Sequence, residues 1–95
     1  MSGCIFINKK SPQLRTLAEL KGRRVLVHPG SKGEQVLRAA GLADSIVHVA
    51  SVEEALRKLN AGEGDATLAG RLSALATAQR LGLDNIKPSS DPVYE

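Results

Sequence analysis

In the stretch VLVHPGSKGEQVLRAAG, residues 25–41, an apolar run passes through a turn holding two glycines into a helical pattern. A helix that starts near Ser31 presents unpaired backbone N–H groups and the positive end of its dipole, and both stabilise a carboxylate or phosphate. Gly30 and Gly33 let backbone approach a ligand closely, Ser31 supplies a hydroxyl, and Lys32 adds a positive charge. His28, where the apolar run ends, stands beside the same turn. These residues equally fit a plain helix entrance, with Ser31 as N-cap, Gly30 as turn residue and His28 as a packed or solvent-bonded side chain. The G-S-x-G pattern is also shorter than the phosphate-loop and dinucleotide fingerprints.

Other chemistry is scarce. Cys4 is the single cysteine, so the chain has neither an internal disulfide nor a second thiol for a metal site, which leaves the redox compartment open. His48 falls within a strand pattern, and no His, Cys or paired acids stand at metal-ligand spacing, so no metal and no other cofactor is expected. Asp65, after Gly62 and Gly64, reads as a turn or strand-entry residue, and Glu53 and Glu54 as capping and surface residues. Thirteen Lys and Arg are interleaved with ten acids for a net charge of +3, and Phe6 and Tyr94 are the only aromatics. With so few rings to stack bases, nucleic-acid binding is not expected. No apolar run approaches the roughly 18 residues that span a bilayer, and the start lacks a basic-then-apolar leader, so no membrane contact is expected.

The elements that position the turn follow from periodicity. Cys4 to Asn8 is a short apolar strand pattern closed at KKSP, and Thr16 with Glu19 forms a capping box for a one-turn helix bearing Leu17 and Leu20. Arg24 to His28 reads as a strand covered on both faces, Glu34 to Ala40 as a helix with Val36, Leu37 and Ala40 on one stripe, and SIVHVA as the next strand. Ser51 and Glu54 form a second capping box before a helix with Val52, Ala55, Leu56 and Leu59 aligned. DATLA gives a further strand, Leu72 to Leu81 a third helix carrying Leu72, Leu75 and Ala76, and NIKPS a final edge strand because of Pro88. Strands alternating with helices of about ten residues predict an α/β fold: a three-layer α/β/α sandwich on a mostly parallel sheet of about five strands. Ligands of such sheets collect beyond the carboxyl ends of the strands, which selects residues 28–33, 50–51 and 69–71.

The segments LAELKGRRVLVHPGSKGEQVLRAAG and SVEEALRKLNAGEGDATLAG, followed by AQRLGL, resemble the bacterial extracellular solute-binding proteins of the amino-acid-binding family. The same module serves as the sensor domain of some two-component histidine kinases. The resemblance runs from about Ile5 to Tyr94 and keeps the family's order: L-x-x-L-K-G before a strand, G-S-x-x-E at a helix entrance, S-V-E-E-A-L-x-x-L-x-x-G, then G-D-A. It implies one lobe of a two-lobed clamshell, the second lobe, which is inserted in the first. On this reading residues 1–95 are a single lobe, 4–94 its body and 1–3 a remnant outside it, and residues 4 and 94 are neighbours at the hinge. Gly30, Ser31 and Lys32 then match the helix entrance that holds a ligand carboxylate. The family often places an acid five residues after the G-D-A aspartate to anchor an ammonium group; here that aspartate is Asp65, and Gly70 followed by Arg71 stands at the anchoring position. The departure favours an anionic ligand over a standard α-amino acid.

The resemblance therefore implies a small-solute-binding lobe from a periplasmic or extracytoplasmic receptor or sensor, sharing its ligand with a first lobe that this chain does not include. A dehydratase acting on cyclohexadienyl acids, built on the same architecture, is the enzymatic alternative. An interaction module whose uncovered face self-associates is the third.

Overall fold

The computed structural model describes residues 3–90 and 92–94. Strands β1 (Gly3–Asn8), β2 (Val25–Val27), β3 (Ile46–His48), β4 (Ala66–Gly70) and β5 (Ile86–Pro88) form one sheet in the order β3-β2-β4-β1-β5. β2 pairs in parallel with β3 and β4, whereas β1 runs antiparallel to both β4 and β5. All strands but β1 therefore share one direction, and the expected mostly parallel sheet contains one inverted strand. Gly3, read from the sequence as part of a remnant, opens β1; Met1 and Ser2 lie outside the described residues.

Alternation along β1 builds the three layers. Cys4 and Phe6 point into one core, Ile5 and Ile7 into the other, and every residue of β1 is buried, as suits a strand with a neighbour on each side. The first core packs under α2 (Val52–Asn60) and α3 (Arg71–Leu81) through Ala55, Leu56, Leu59, Ala74 and Ala78. The second packs under α1 (Lys32–Ala39) and the short 3-10 turn Leu17–Leu20 through Leu37 and Leu20. Aliphatic side chains dominate both, with Phe6 the one fully buried ring among the described residues.

The helix entrances follow the predicted caps with differences of detail. Thr16 and Glu19 close a reciprocal capping box. Ser51 accepts from the Glu54 N–H at 3.1 Å, but the Glu54 carboxylate reaches the Ala50 N–H instead of that of Ser51, so the second box is displaced outward by one residue. α1 starts at Lys32, ahead of the expected Glu34, and buries Gly33 and Leu37 while Ala40 is exposed. The stripe expected on α3 is also corrected: Leu72 and Leu75 are 77% and 39% exposed, Ala76 is exposed, and Ala74 and Ala78 face inward. Apolar residues surround α3 on every side, and methyl side chains let it lie close against α2 and β4, so its larger hydrophobes do not mark the buried face.

Two clusters of hydrogen bonds fix the ends of the sheet. At one end, buried Asn8 donates from Nδ2 to the carbonyls of Leu59 (2.9 Å) and Asn60 (3.1 Å), and its Oδ1 accepts from the Lys10 N–H at 2.9 Å, which closes the C-terminus of α2. At the other end lie the C-termini of β2, β3, β4 and β5 together with the start of β1. There the Gly3 N–H donates to the Tyr94 carbonyl at 2.9 Å and the Val93 N–H to the Gly3 carbonyl at 2.7 Å. The two ends of the described chain thus meet beside Gly70, the partner of Gly3 across β1 and β4.

Candidate functional site

The turn after β2 lies at the same end of the sheet as the meeting chain ends. His28 is half-buried at the end of β2, and its carbonyl accepts from the Ser31 N–H at 3.2 Å. Gly30 has φ of 80°, a left-handed conformation that glycine adopts without strain. Ser31 is the N-cap of α1, its Oγ accepting from the Glu34 N–H at 3.1 Å. These bonds occupy the amides of Ser31 and Glu34; those of Lys32 and Gly33 meet no acceptor among the described residues. Lys32 is exposed. Gly33 is buried, and a Cβ there would lie 3.1 Å from Leu68 Cβ and 3.1 Å from Leu68 O, so its lack of a side chain serves the contact of α1 with β4.

Glu34 and His48 form a pair that the sequence reading leaves apart. One Glu34 oxygen accepts from the Gly30 N–H at 2.9 Å, and the other contacts His48 Nε2 and lies 3.5 Å from an Arg38 nitrogen. The Gly30 amide, and after it His48, hold the Glu34 carboxyl down to about 2. At neutral pH a carboxylate therefore already sits on the Gly30 side of the helix entrance. The donors left at the entrance among the described residues are the amides of Lys32 and Gly33 and the Lys32 ammonium. The Glu34 half of this arrangement was visible as S-x-x-E, but His48 is brought in by the parallel register that sets Val27 opposite His48, a long-range pairing that no local pattern encodes.

Gly70 pairs with Gly3 and caps α3 without a side-chain bond; Arg71 is the first helical residue and is exposed. β2 and β4 are neighbours, so the entrances of α1 and α3 open at the same end of the sheet. Arg71 does not share a lining with Lys32. It borders an open groove of about 760 Å³ together with Gln13, Arg15, Thr16, Leu17, Pro88, Ser89, Ser90, Pro92 and Val93. Among the described residues, no three His, Cys, Asp or Glu side chains gather as a metal site, and no helix is long and apolar enough to cross a membrane.

No family model matches the sequence, and no curated protein matches it. Solved structures do. A histidine kinase sensor domain with similarity to periplasmic binding proteins superposes with a TM-score of 0.90 at 25% identity, over 97% of this chain and 40% of that one. An ancestral arginine-binding protein bound to glutamine gives 0.80 at 26% identity, over 99% of this chain and 42% of the other. Domain 2 from TmArgBP gives 0.80 at 22% identity and is covered over 95% of its own length. The chain thus has the fold of one lobe of a periplasmic-binding-protein-like domain and spans about two fifths of the two-lobed proteins it resembles.

Proposed function

We propose that this chain is the second, inserted lobe of an extracytoplasmic solute-binding domain, and that the entrance of α1 holds an acidic group of a small ligand. The observation that carries the reading is the convergence at one end of the sheet of the joined Gly3 and Tyr94, the uncommitted Lys32 amide and the α3 entrance. A lobe attached there by both ends turns its helix entrances toward a first lobe, and a ligand bridging the two stabilises the closed state. The sensor part of a signalling protein is favoured over a transport receptor, because Gly70 and Arg71 offer no acidic anchor for an ammonium group. The similarity to a kinase sensor domain supports that preference. Exposed Leu72 and Leu75 supply apolar surface for self-association of the lobe by itself. Titration of the ¹⁵N-labelled chain with succinate, a dicarboxylate without an ammonium group, tests the site: saturable shifts of the Lys32 and Gly33 amides support it, and their constancy throughout the titration rejects it.

The Glu34–His48 contact favours one second reading, a dehydratase-like enzyme in which Glu34 orients His48 as a general acid. Turnover of a cyclohexadienyl acid by the two-lobed protein, abolished by His48→Gln, would establish it; absence of turnover leaves the binding reading in place.

A further inference from the structure

We propose that His48 makes the hold of the α1 entrance on an acid depend on pH, tightening it when the imidazole is protonated; this rests on the reading of that entrance as the binding site. His48 closes β3, the strand at one edge of the sheet. Ile46 packs in the core under α1, and alternation along the strand puts the His48 ring on that same face. There its Nε2 meets one oxygen of Glu34, whose other oxygen accepts from the Gly30 N–H at 2.9 Å. One carboxylate thus spans from the imidazole to the turn that opens the entrance. The Glu34 side chain is only 14% exposed, so the charges it links are screened less than charges standing free in water.

The charged groups around His48 come from three elements. On α1, an Arg38 nitrogen lies 3.5 Å from the same Glu34 oxygen that meets His48, and Lys32 is exposed at the entrance. On α2, Glu54 accepts from the Ala50 N–H at 3.2 Å and pairs with Lys58 at 3.6 Å, while Glu53 pairs with Arg80 at 3.3 Å. From β2 comes His28, one residue beyond Val27, the partner of His48 across the parallel pair. Glu34 itself, held down to about 2, stays ionised at any pH above the acid range. Histidine is the side chain whose charge ordinarily changes between pH 5 and 8, so within that window the entrance gains or loses charge through its two histidines. With His48 neutral, an incoming anion meets the Glu34 charge offset by Arg38 alone. A proton on His48 sets a second positive charge against that carboxylate and reduces the repulsion. Affinity for an anion is therefore higher at low pH and falls as pH rises, by about threefold for one added charge at a half-exposed position.

The test is an amide-shift titration of the chain with methanesulfonate, an anion whose own charge does not change in this range, at pH 5.5 and at pH 8 and in low salt. The expected result is saturable shifts of the Lys32 and Gly33 amides with affinity about threefold higher at pH 5.5. His48→Gln, which keeps an N–H for Glu34 and takes up no proton, should abolish the difference, and His28→Gln should retain it. Raising the salt should shrink the difference in the parent chain. Saturable shifts with the same affinity at both pH values, a difference that persists in His48→Gln, or one that vanishes in His28→Gln would overturn the proposal while leaving the α1 entrance as the binding site. Amides that do not respond at either pH would overturn both.

Discussion

Substituting Gly33 by alanine separates a packing glycine from a ligand-approach glycine, and the two effects involved have opposite signs. Inside a helix the change normally stabilises by about 0.5–1 kcal/mol, because glycine loses more backbone freedom on folding. At position 33, however, the new methyl lands 3.1 Å from Leu68 Cβ, 3.1 Å from Leu68 O and 3.2 Å from Val27 Cγ1. Carbon contacts are most favourable at roughly 3.5–4.0 Å, so the methyl intrudes on all three atoms together. Leu68 O belongs to β4, which is paired on one side with β1 and on the other with β2 and cannot yield without shifting the sheet. Overpacking of this kind costs about 1–3 kcal/mol, which outweighs the helix gain and leaves a net loss of about 1 kcal/mol. Urea unfolding followed by far-UV circular dichroism should show a lower midpoint with unchanged slope, and Tm should fall by about 4–8 °C. A variant as stable as the parent, or more so, would refute the packing argument.

Removing the Asn8 side chain deletes two bonds to the end of α2 and one to the Lys10 amide, so Asn8→Ala should cost about 2–3 kcal/mol. Asn8→Asp should be worse than alanine although it is isosteric, since it turns an anion toward two carbonyls; equal or better stability in a denaturant series counts against the assignment. Glu34 has a folded-state value of about 2 against an ordinary 4.5, so the stability it contributes is present above the ordinary value and is lost as pH falls from about 4.5 through about 2. Carboxyl NMR titration should place its midpoint near that lower figure, and a midpoint at the ordinary value removes the Gly30 and His48 contacts from the account.

Local patterns made much of the fold legible. Thr16 with Glu19 and Ser51 with Glu54 announced two helix entrances at fixed spacing, Ser31 as N-cap announced a third, and the apolar runs around Ile5, Leu26, Val47 and Leu68 announced strands. The inversion of β1 was not legible, because strand direction depends on crossovers and not on residue type. Nor was the buried face of α3, where alanines outrank leucines in closeness of approach. At the site, the α1 entrance was readable from Gly30, Ser31 and Lys32. The Glu34–His48 contact and the joining of Arg15 and Arg71 around one groove required tertiary neighbours 14 and more residues away.

The grip of the α1 entrance on an acid can be isolated at Lys32. Ser31 has φ −75° and ψ 161°, the extended backbone that a following proline requires, and the first helical position tolerates proline, so Lys32→Pro deletes the Lys32 N–H with the helix kept. Lys32→Gln deletes the charge alone. Succinate affinity measured by amide-shift titration on both variants should be at least about fivefold weaker for the proline variant, whereas equal affinity in the two variants would contradict an acid held by the backbone of that helix.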